Sequence, residues 1–318
     1  MNLKHMRQSM ILKNMILRAN MLRLIRDYFY QKDFLEVDTP IRTSTTIPES
    51  YIDCMTSDGW YLQSSPEMCM KQLLAANYSR IFQICHCFRK GERGNLHLPE
   101  FTLLEWYETH INYKKLMSQC MELIKYIVVN LELPNPLIYQ GQPIDFLAPW
   151  KVITVKEAFE QFSTVSLEQS LATYQYDECM IKDIEPNIPK DTPVFLIDYP
   201  SEFGVLARVK HDNPDVSERF ELYIGGIELA NGFSELNDPI EQRKRFQNEL
   251  SKRKALGKTD LPMPEKFLNA LSYLPDAAGI ALGIDRLIMI LANTTHIDDV
   301  VSFVPEEFVI CNRSNPMN

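Results

Sequence analysis

The sequence predicts an α+β domain, a mostly antiparallel sheet flanked by helices. Two pairs of strand-like segments and one strand-to-helix junction favour this class. Residues 81–89 and 100–108 read as strands joined by a charged loop, and two further strand-like segments meet at Gly225-Gly226. Residues 279–291, GIALGIDRLIMIL, read as a strand that runs into an apolar helix. Since short loops join antiparallel strands, we expect one sheet and a single domain over residues 1–318.

Composition is that of a soluble globular protein. The 318 residues can bury a full core, and the hydrophobic fraction of 45% is ordinary. The sequence contains no run of 18 apolar residues and no signal-peptide pattern, so we expect no membrane helix. Seven cysteines without a secretory signal indicate reduced thiols in a cytoplasmic protein. Cys85, His86 and Cys87 alternate between the faces of a strand, and we interpret them as structural.

The charge is uneven along the chain. A net charge of −9 argues against a protein that wraps a polyanion. The first 32 residues nevertheless hold seven lysines and arginines against one acidic residue, Asp27. Helical spacing of Met, Leu and Ile through residues 15–28 predicts an amphipathic helix with a basic outer face that includes Arg18 and Arg23. Such a face is usually only solvated; the alternative is a docking site for an acidic partner.

The first strand pair combines aromatic and charged side chains. Period-2 alternation places Phe101, Leu103, Glu105 and Tyr107 on one face, and Thr102, Leu104 and Trp106 on the other. The adjoining loop carries Arg89, Lys90, Glu92, Arg93 and His97. A planar base could stack on Phe101, a phosphate could pair with Arg89, and a cation could meet Glu105. The alternative is a polar hairpin without a ligand.

A second hairpin, residues 218–235, brings two carboxylates together. A two-residue turn at Gly225-Gly226 would put two glutamates, a tyrosine and an alanine on one face. The predicted pairs are Ile224 with Ile227, Tyr223 with Glu228, and Glu221 with Ala230. Glu221 and Glu228 would then be diagonal neighbours with Cα atoms about 7–8 Å apart. Their repulsion predicts a cation, and hard oxygen ligands favour Mg²⁺; a solvated acidic face is the alternative.

A permanent cation stands at the strand-to-helix junction. Arg286 lies at the start of the apolar helix predicted for residues 284–291. An unpaired guanidinium there would cost several kcal/mol, so an anion should meet it. A structural ion pair would serve equally well on this pattern alone.

Taken together, these segments resemble the class II aminoacyl-tRNA synthetases in their lysine-specific form. Residues 88–107 resemble motif 2, residues 279–291 resemble motif 3, and FLEVDTP at residues 34–40 resembles motif 1. Residues 218–235 resemble the metal-binding hairpin of lysyl-tRNA synthetases. The resemblance runs from about residue 15 to the end of the chain. It implies ATP and Mg²⁺ as cofactors, formation of an aminoacyl-adenylate, and a homodimer built on motif 1.

Residue by residue, the resemblance implies two sets of ligands. Arg89 and Arg286, as catalytic residues, would hold the α- and γ-phosphates of ATP. The other implied nucleotide and metal contacts are Phe101 on adenine, His97 near the phosphates, Glu92, Asn231, and Glu221 with Glu228 on Mg²⁺. Where the family has Arg-x-Glu, this chain has Gly91, and Glu92 follows one residue later. The implied substrate contacts are Glu67 for the backbone amine, Glu105, Tyr107 and Glu235 for the ε-amine, and Ala230, Asn231 and Phe233 nearby.

Two features favour a protein acceptor over tRNA. Lysyl-tRNA synthetases carry an OB-fold of about 100 residues before motif 1, and here motif 1 begins within the first 40. Ala230 stands where those synthetases tend to have glycine. Both features are similar to the bacterial elongation factor P–lysine ligases, which transfer lysine, preferably (R)-β-lysine, to a lysine of elongation factor P. The alternatives are a minimal ligase that charges tRNA or a small-molecule amine, and a non-catalytic paralogue, which would be expected to lose Arg89, Arg286, Glu221 or Glu228.

Overall fold

The computed structural model describes residues 6–308. Lys4 and Cys311, which entered the charge and cysteine counts, lie outside the described residues. The strands are β1 Leu35–Glu36, β2 Arg42–Thr43, β3 Thr56–Ser57, β4 Trp60–Leu62, β5 Arg80–Phe88, β6 Glu100–Thr109, β7 Leu137–Tyr139, β8 Gln142–Ile144, β9 Lys151–Thr154, β10 Val194–Ile197, β11 Arg219–Ile224, β12 Ile227–Ser234 and β13 Ala277–Gly283. The α-helices are α1 Arg7–Met10, α2 Leu12–Gln31, α3 Glu67–Ala75, α4 Tyr113–Asn130, α5 Val155–Phe162, α6 Leu167–Ala172, α7 Tyr176–Cys179, α8 Pro239–Ala255, α9 Glu265–Leu271 and α10 Ile284–Leu291. Among the described residues, no helix combines the length and apolar character that crossing a membrane requires.

Eight strands form the central sheet, in the order β1-β5-β6-β13-β12-β11-β10-β9. The five inner pairings, from β5 to β10, are antiparallel, while β1 and β9 pair in parallel at the two edges. The predicted α+β class, an antiparallel sheet flanked by helices, is confirmed. Both predicted strand pairs and the strand-to-helix junction at β13 and α10 belong to this sheet.

The two faces of the sheet have different roles. Leu104 and Trp106 of β6 are fully buried in the main core, which α2, α4 and α10 cover. Phe101, Leu103, Glu105 and Tyr107 are on the opposite face, here called the cavity face. The predicted alternation along β6 is therefore confirmed, since one face buries apolar side chains and the other keeps ligand-type groups.

The second hairpin forms with one register shift. Ile224 pairs with Ile227 and Tyr223 with Glu228 across the Gly225-Gly226 turn, as predicted. A β-bulge follows, so that Leu222 pairs with Ala230, and Glu221 pairs with Asn231. The predicted pairing of Glu221 with Ala230 is wrong, because the extra residue of the bulge moves β12 by one position. The same shift puts the side chain of Ala230 on the core face, beside Leu222 and Leu282, so the prediction that it shares a face with Glu221 is also wrong.

The prolines in residues 133–192 predict an irregular segment, but the structure shows this part of the chain folded into short elements. These residues contain β7, β8, β9 and α5–α7, followed by a π-helical turn at Met180–Ile184. Helices α5 and α6 each begin with a complete capping box, Thr154 with Glu157 and Ser166 with Gln169. A separate hydrophobic cluster holds this segment against β10 and β11. The prediction failed because the helices are short and the prolines between them suggested a loop.

Helix α2 is amphipathic as predicted, but its basic face is not uniform. It buries Met21, Leu24, Ile25, Tyr28 and Phe29. Arg18 points inward, where Nη1 lies 2.5 Å from Oδ1 of Asp285 and Nη2 donates to Thr102 Oγ1 at 2.7 Å. Placing Arg18 on an outer docking face was therefore wrong, whereas Arg23 is exposed.

Candidate active site

A cavity of about 330 Å³ opens on the cavity face of the sheet. Strands β6, β11, β12 and β13 form its floor, and the loop of residues 44–55 and the start of α3 form part of its wall. The predicted site residues that line it are Glu67, Arg89, Glu92, His97, Phe101, Glu105, Tyr107, Glu221, Glu228, Ala230, Asn231, Phe233 and Arg286. Glu235 is fully buried and lies behind this lining, where it forms an ion pair with Lys71.

Two arginines give one end of the cavity positive charge. The guanidinium of Arg89 lies over the ring of Phe101, 5.1 Å from its centroid, and its Nη1 is 4.0 Å from Glu92 Oε2. Its Nε is buried and has no hydrogen-bond partner within residues 6–308. A buried donor without a partner is costly, so this end suits an anion such as a phosphate.

The second arginine, Arg286, is held by contacts to strand β12 and to the loop between β5 and β6. Nη1 of Arg286 donates to the carbonyl oxygen of Glu228 at 2.8 Å and lies 3.5 Å from Glu228 Oε2. Its Nη2 donates to Nε2 of His97 at 2.6 Å. Burial and the charge of Arg286 lower the pKa of His97, which keeps the imidazole neutral and able to accept.

Glu105 marks the other, acidic end. Ser65 Oγ donates to its Oε1 at 2.6 Å, and Tyr107 donates to its Oε2 at 2.8 Å. Burial, followed by the nearby charge of Glu67, raises the pKa of Glu105 to about 8. The carboxyl is therefore protonated at neutral pH until a cation arrives. An ammonium group is the ligand that would convert it to the charged form.

A buried lysine, Lys71, lies between two glutamates at the acidic end. It was not predicted from the sequence. Nζ of Lys71 lies 2.5 Å from Oε2 of Glu235, contacts Glu67, and sits 5.0 Å from the centroid of Phe233. Burial alone would lower the pKa of Lys71, but Glu235 and Glu67 reverse that effect and raise it. Lys71 follows Glu67 by four residues on α3, and this spacing was a readable signal for an ion pair.

Close packing at this end depends on Gly279. A side chain at that position would collide with the ring of Tyr107 and the carboxylate of Glu235. The strand β13 therefore passes directly under both groups. Glycine is needed here because a side chain would not fit, and not because the backbone adopts an unusual conformation.

Arg219, also missed, orients two of the predicted residues. Its Nη2 lies 2.6 Å from Glu221 Oε1, and its Nε donates to Asn231 Oδ1 at 3.0 Å. The amide NH₂ of Asn231 is thereby turned away from the arginine as a free donor. Arg219 and Glu221 are two residues apart on β11, which puts them on one face; the sequence contained this signal too.

The two carboxylates predicted for Mg²⁺ line the same cavity. Tyr199 and Tyr223 donate to Oε2 of Glu221 at 2.6 and 2.8 Å. Burial, and then the charge of Glu221, raise the pKa of Glu228. A cation between the two carboxylates would reduce their repulsion and favour the ionised form of Glu228. Within residues 6–308 no cluster of three His, Cys, Asp or Glu side chains is arranged to hold a metal. The donor set fits a Mg²⁺ that takes its remaining ligands from nucleotide oxygens and water.

Comparison with known proteins shows similarity to one family over nearly all of the chain. A family model described as "tRNA synthetases class II (D, K and N)" matches residues 2–307. An elongation factor P–(R)-β-lysine ligase of Buchnera aphidicola is 35% identical over 95% of this chain and 98% of its own length. Proteins of the same name from Edwardsiella ictaluri and Pectobacterium carotovorum are 36% and 37% identical, over 91% and 92% of this chain and 94% and 95% of theirs.

Proposed function

Because this chain belongs to the class II tRNA synthetase family of the D, K and N type, with elongation factor P–(R)-β-lysine ligases among its full-length relatives, we propose that it is an ATP-dependent lysine ligase. It activates lysine, preferably (R)-β-lysine, as an aminoacyl-adenylate. It then transfers the aminoacyl group to a lysine side chain of elongation factor P. This acceptor would place the enzyme in the cytoplasm.

One observation carries the proposal, namely the division of the cavity into a cationic and an acidic end. Arg89 with an unpartnered buried Nε and Arg286 stand at one end. Glu67 and a protonated Glu105 stand at the other. A substrate with a side-chain ammonium group at one end, and a carboxylate next to a triphosphate at the other, matches this arrangement. An ordinary apolar amino acid would leave the acidic end unpaired.

The first step needs no general base. The substrate carboxylate is ionised at neutral pH and attacks the α-phosphate of ATP, and pyrophosphate leaves. Arg89 and Arg286 hold the phosphates and neutralise the charge that builds up on them. When bound, Mg²⁺ on Glu221 and Glu228 would add positive charge beside the phosphate oxygens. Asn231 would donate its free amide hydrogens to the substrate or nucleotide.

The remaining predicted contacts complete the two sites. Phe101 would offer its ring to adenine on the side not covered by Arg89, with Glu92 and His97 beside the nucleotide. Tyr107, Phe233 and Glu235 would frame the ε-amine with Glu105. Ala230 contributes to the lining without its methyl group, because its side chain packs beside Leu222 and Leu282 in the main core. The proposed preference for β-lysine is supported by the names of the relatives and not by this side chain.

In the second step, the acceptor amine attacks the carbonyl carbon of the adenylate and AMP leaves. Three relatives that share this chain's length are named for elongation factor P and (R)-β-lysine, which supports a protein acceptor. Charging of tRNA or of a small amine remains the alternative.

We also propose a homodimer that is built on the motif 1 segment. Leu35 of β1, 52% exposed, lies on the edge strand of the sheet, and Ile41 just beyond it is 46% exposed. An apolar edge of this kind needs a cover. Sedimentation velocity should give a dimer for the purified protein, and Leu35→Lys should shift it to monomer.

The test of function is transfer of labelled lysine and labelled (R)-β-lysine, with ATP and Mg²⁺, to purified elongation factor P and to bulk tRNA in parallel. Label on the protein, stronger with β-lysine, is the expected result. Label on tRNA alone would overturn the acceptor assignment. Adenylate formation with neither acceptor labelled would point to a small amine.

A further inference from the structure

One carboxylate in the cavity has no role in the steps described so far. Glu49 lines the cavity from the loop of residues 44–55, together with Ile47 and Ile52. Glu49 is half-buried, and within residues 6–308 its carboxylate forms no ion pair and no hydrogen bond with the protein, although its oxygens are not sealed from solvent. Every other cavity glutamate discussed above has a partner on the protein. Glu49 is therefore free to interact with a substrate.

The backbone around Glu49 is firmly held. Nη1 of Arg253, a buried residue of α8, donates at 2.7 Å to the carbonyl oxygens of both Glu49 and Ile52. The amide of Ser50 donates to Glu249 Oε2 at 2.9 Å. Two buried charged residues of α8 thus fix the position of the loop. The backbone that carries Glu49 is therefore fixed, while its carboxylate is left without a partner on the protein.

The loop lies between the cavity and solvent. Ile52 lines the cavity, while the adjacent Tyr51 is 73% exposed. A macromolecular acceptor has to deliver its amine from the solvent side. Glu49 thus lies on the cavity wall that an amine arriving from this side would pass on its way to an adenylate held at Arg89.

The charges around Glu49 make it a suitable proton acceptor. Burial raises the pKa of its carboxyl to about 7. Arg89 and Arg219 oppose this rise, whereas Glu67 and Glu249 add to it. A general base works best when its pKa is close to the working pH. At neutral pH, a substantial fraction of Glu49 is ionised and able to accept a proton.

We propose that Glu49 is the general base of the transfer step. It accepts one proton from the acceptor's ammonium group, and the neutral amine attacks the carbonyl carbon of the adenylate. The new N–C bond forms as the bond from that carbon to the phosphate oxygen of AMP breaks. The second nitrogen proton goes to solvent. The products of the step are therefore the amide, AMP, protonated Glu49 and one released proton.

This inference rests on the proposed adenylate chemistry but not on the identity of the acceptor. The experiment therefore uses two small acceptors with preformed adenylate, n-butylamine, which is protonated at neutral pH, and hydroxylamine, which is not. The variant is Glu49→Gln, and the matched control is Glu160→Gln, an exposed glutamate of α5. Thermal unfolding and ATP–pyrophosphate exchange are measured on both variants.

We expect the thermal unfolding midpoint of Glu49→Gln to match that of the control. Its rate of ATP–pyrophosphate exchange and its KM for lysine in that reaction should be unchanged. Its transfer to butylamine should fall about 100-fold or more at pH 7, while transfer to hydroxylamine stays within a few-fold. Wild-type transfer to butylamine should fall as pH drops through about 7, the pKa of Glu49. The variant's residual rate should instead rise about tenfold per pH unit toward the pKa of the amine.

Three results would overturn the proposal. Equal loss with both acceptors would mean that Glu49 does not act on the proton. A raised KM for lysine in exchange would place Glu49 on the substrate amine instead. Unchanged transfer to butylamine would leave it without a role in the reaction. If wild-type enzyme forms no adenylate at all, the proposed function fails, and that outcome is visible before any variant is compared.

Discussion

Arg286 and His97 are joined by a hydrogen bond of 2.6 Å, from Nη2 of the arginine to Nε2 of the imidazole. It connects the first turn of α10 to the loop between β5 and β6. Both the neutral imidazole and the fixed guanidinium follow from the same contact, because burial and Arg286 lower the pKa of His97. The cationic end of the cavity is thus ordered without a ligand, which would lower the cost of binding the proposed nucleotide there.

Arg286→Ala should abolish ATP–pyrophosphate exchange and leave the fold intact. Loss of a positioned cation costs about 10²–10³ in rate. Arg286 is not part of the core, so far-UV circular dichroism and the thermal midpoint should match those of the wild type. Arg23→Ala, which removes an exposed arginine of α2, is the control. Normal exchange in a folded Arg286→Ala protein would contradict the motif 3 assignment.

Lysine binding should release about one proton at pH 7. The pKa of Glu105 is raised to about 8 in the empty cavity, from an ordinary value of 4.5, so the carboxyl is protonated at neutral pH. A bound ammonium group favours the ionised form. Affinity should therefore weaken as pH falls from about 8, and calorimetry at pH 7 in buffers of different ionisation enthalpy should detect the released proton.

The matched variant is Glu105→Gln. It should bind lysine more weakly and without this proton release, because the amide does not titrate. Proton release that persists unchanged in the variant would assign it to another group of the cavity.

The sequence correctly predicted which side chains of β6 lie on the cavity face. It did not predict the buried charged residues that pair with the glutamates of the cavity. Phe101 and Tyr107 were placed correctly because alternation along a strand is a local property. The bulge that pairs Glu221 with Asn231 leaves no clear mark in the sequence. Lys71 was missed although it stands one helical turn from Glu67, since a lysine is not expected to be fully buried.

Glu49 was beyond the reach of sequence reasoning for a different reason. Its position depends on Arg253 and Glu249, about 200 residues further along the chain. No local period connects such residues. Only the assembled fold brings the loop of residues 44–55 against α8 and directs it to the cavity.

Lys71→Met should destabilise the protein strongly. The substitution leaves Glu235, which is fully buried, without its cation. Breaking a buried pair in this way costs about 3–5 kcal/mol in the free energy of unfolding, which urea denaturation can measure. The double variant Lys71→Met with Glu235→Gln should recover part of that loss, because the fully buried site no longer holds a charge, although Glu67 still lacks its cation. Equal destabilisation in both variants would mean that packing, rather than charge, explains the role of Lys71.

Arg18→Ala should destabilise the protein, whereas Arg23→Ala should not, although both were assigned to one basic face. The side chain of Asp285 is 3% exposed and is paired with Arg18 at 2.5 Å, and it also accepts from the amide of Thr102 at 2.8 Å. Removing the arginine leaves a buried carboxylate without its counter-charge, at a cost of about 3–5 kcal/mol. Because Asp285 precedes Arg286, exchange activity should fall together with stability. If Arg18→Ala unfolds like Arg23→Ala and only weakens acceptor modification, the docking role first assigned to Arg18 would be restored.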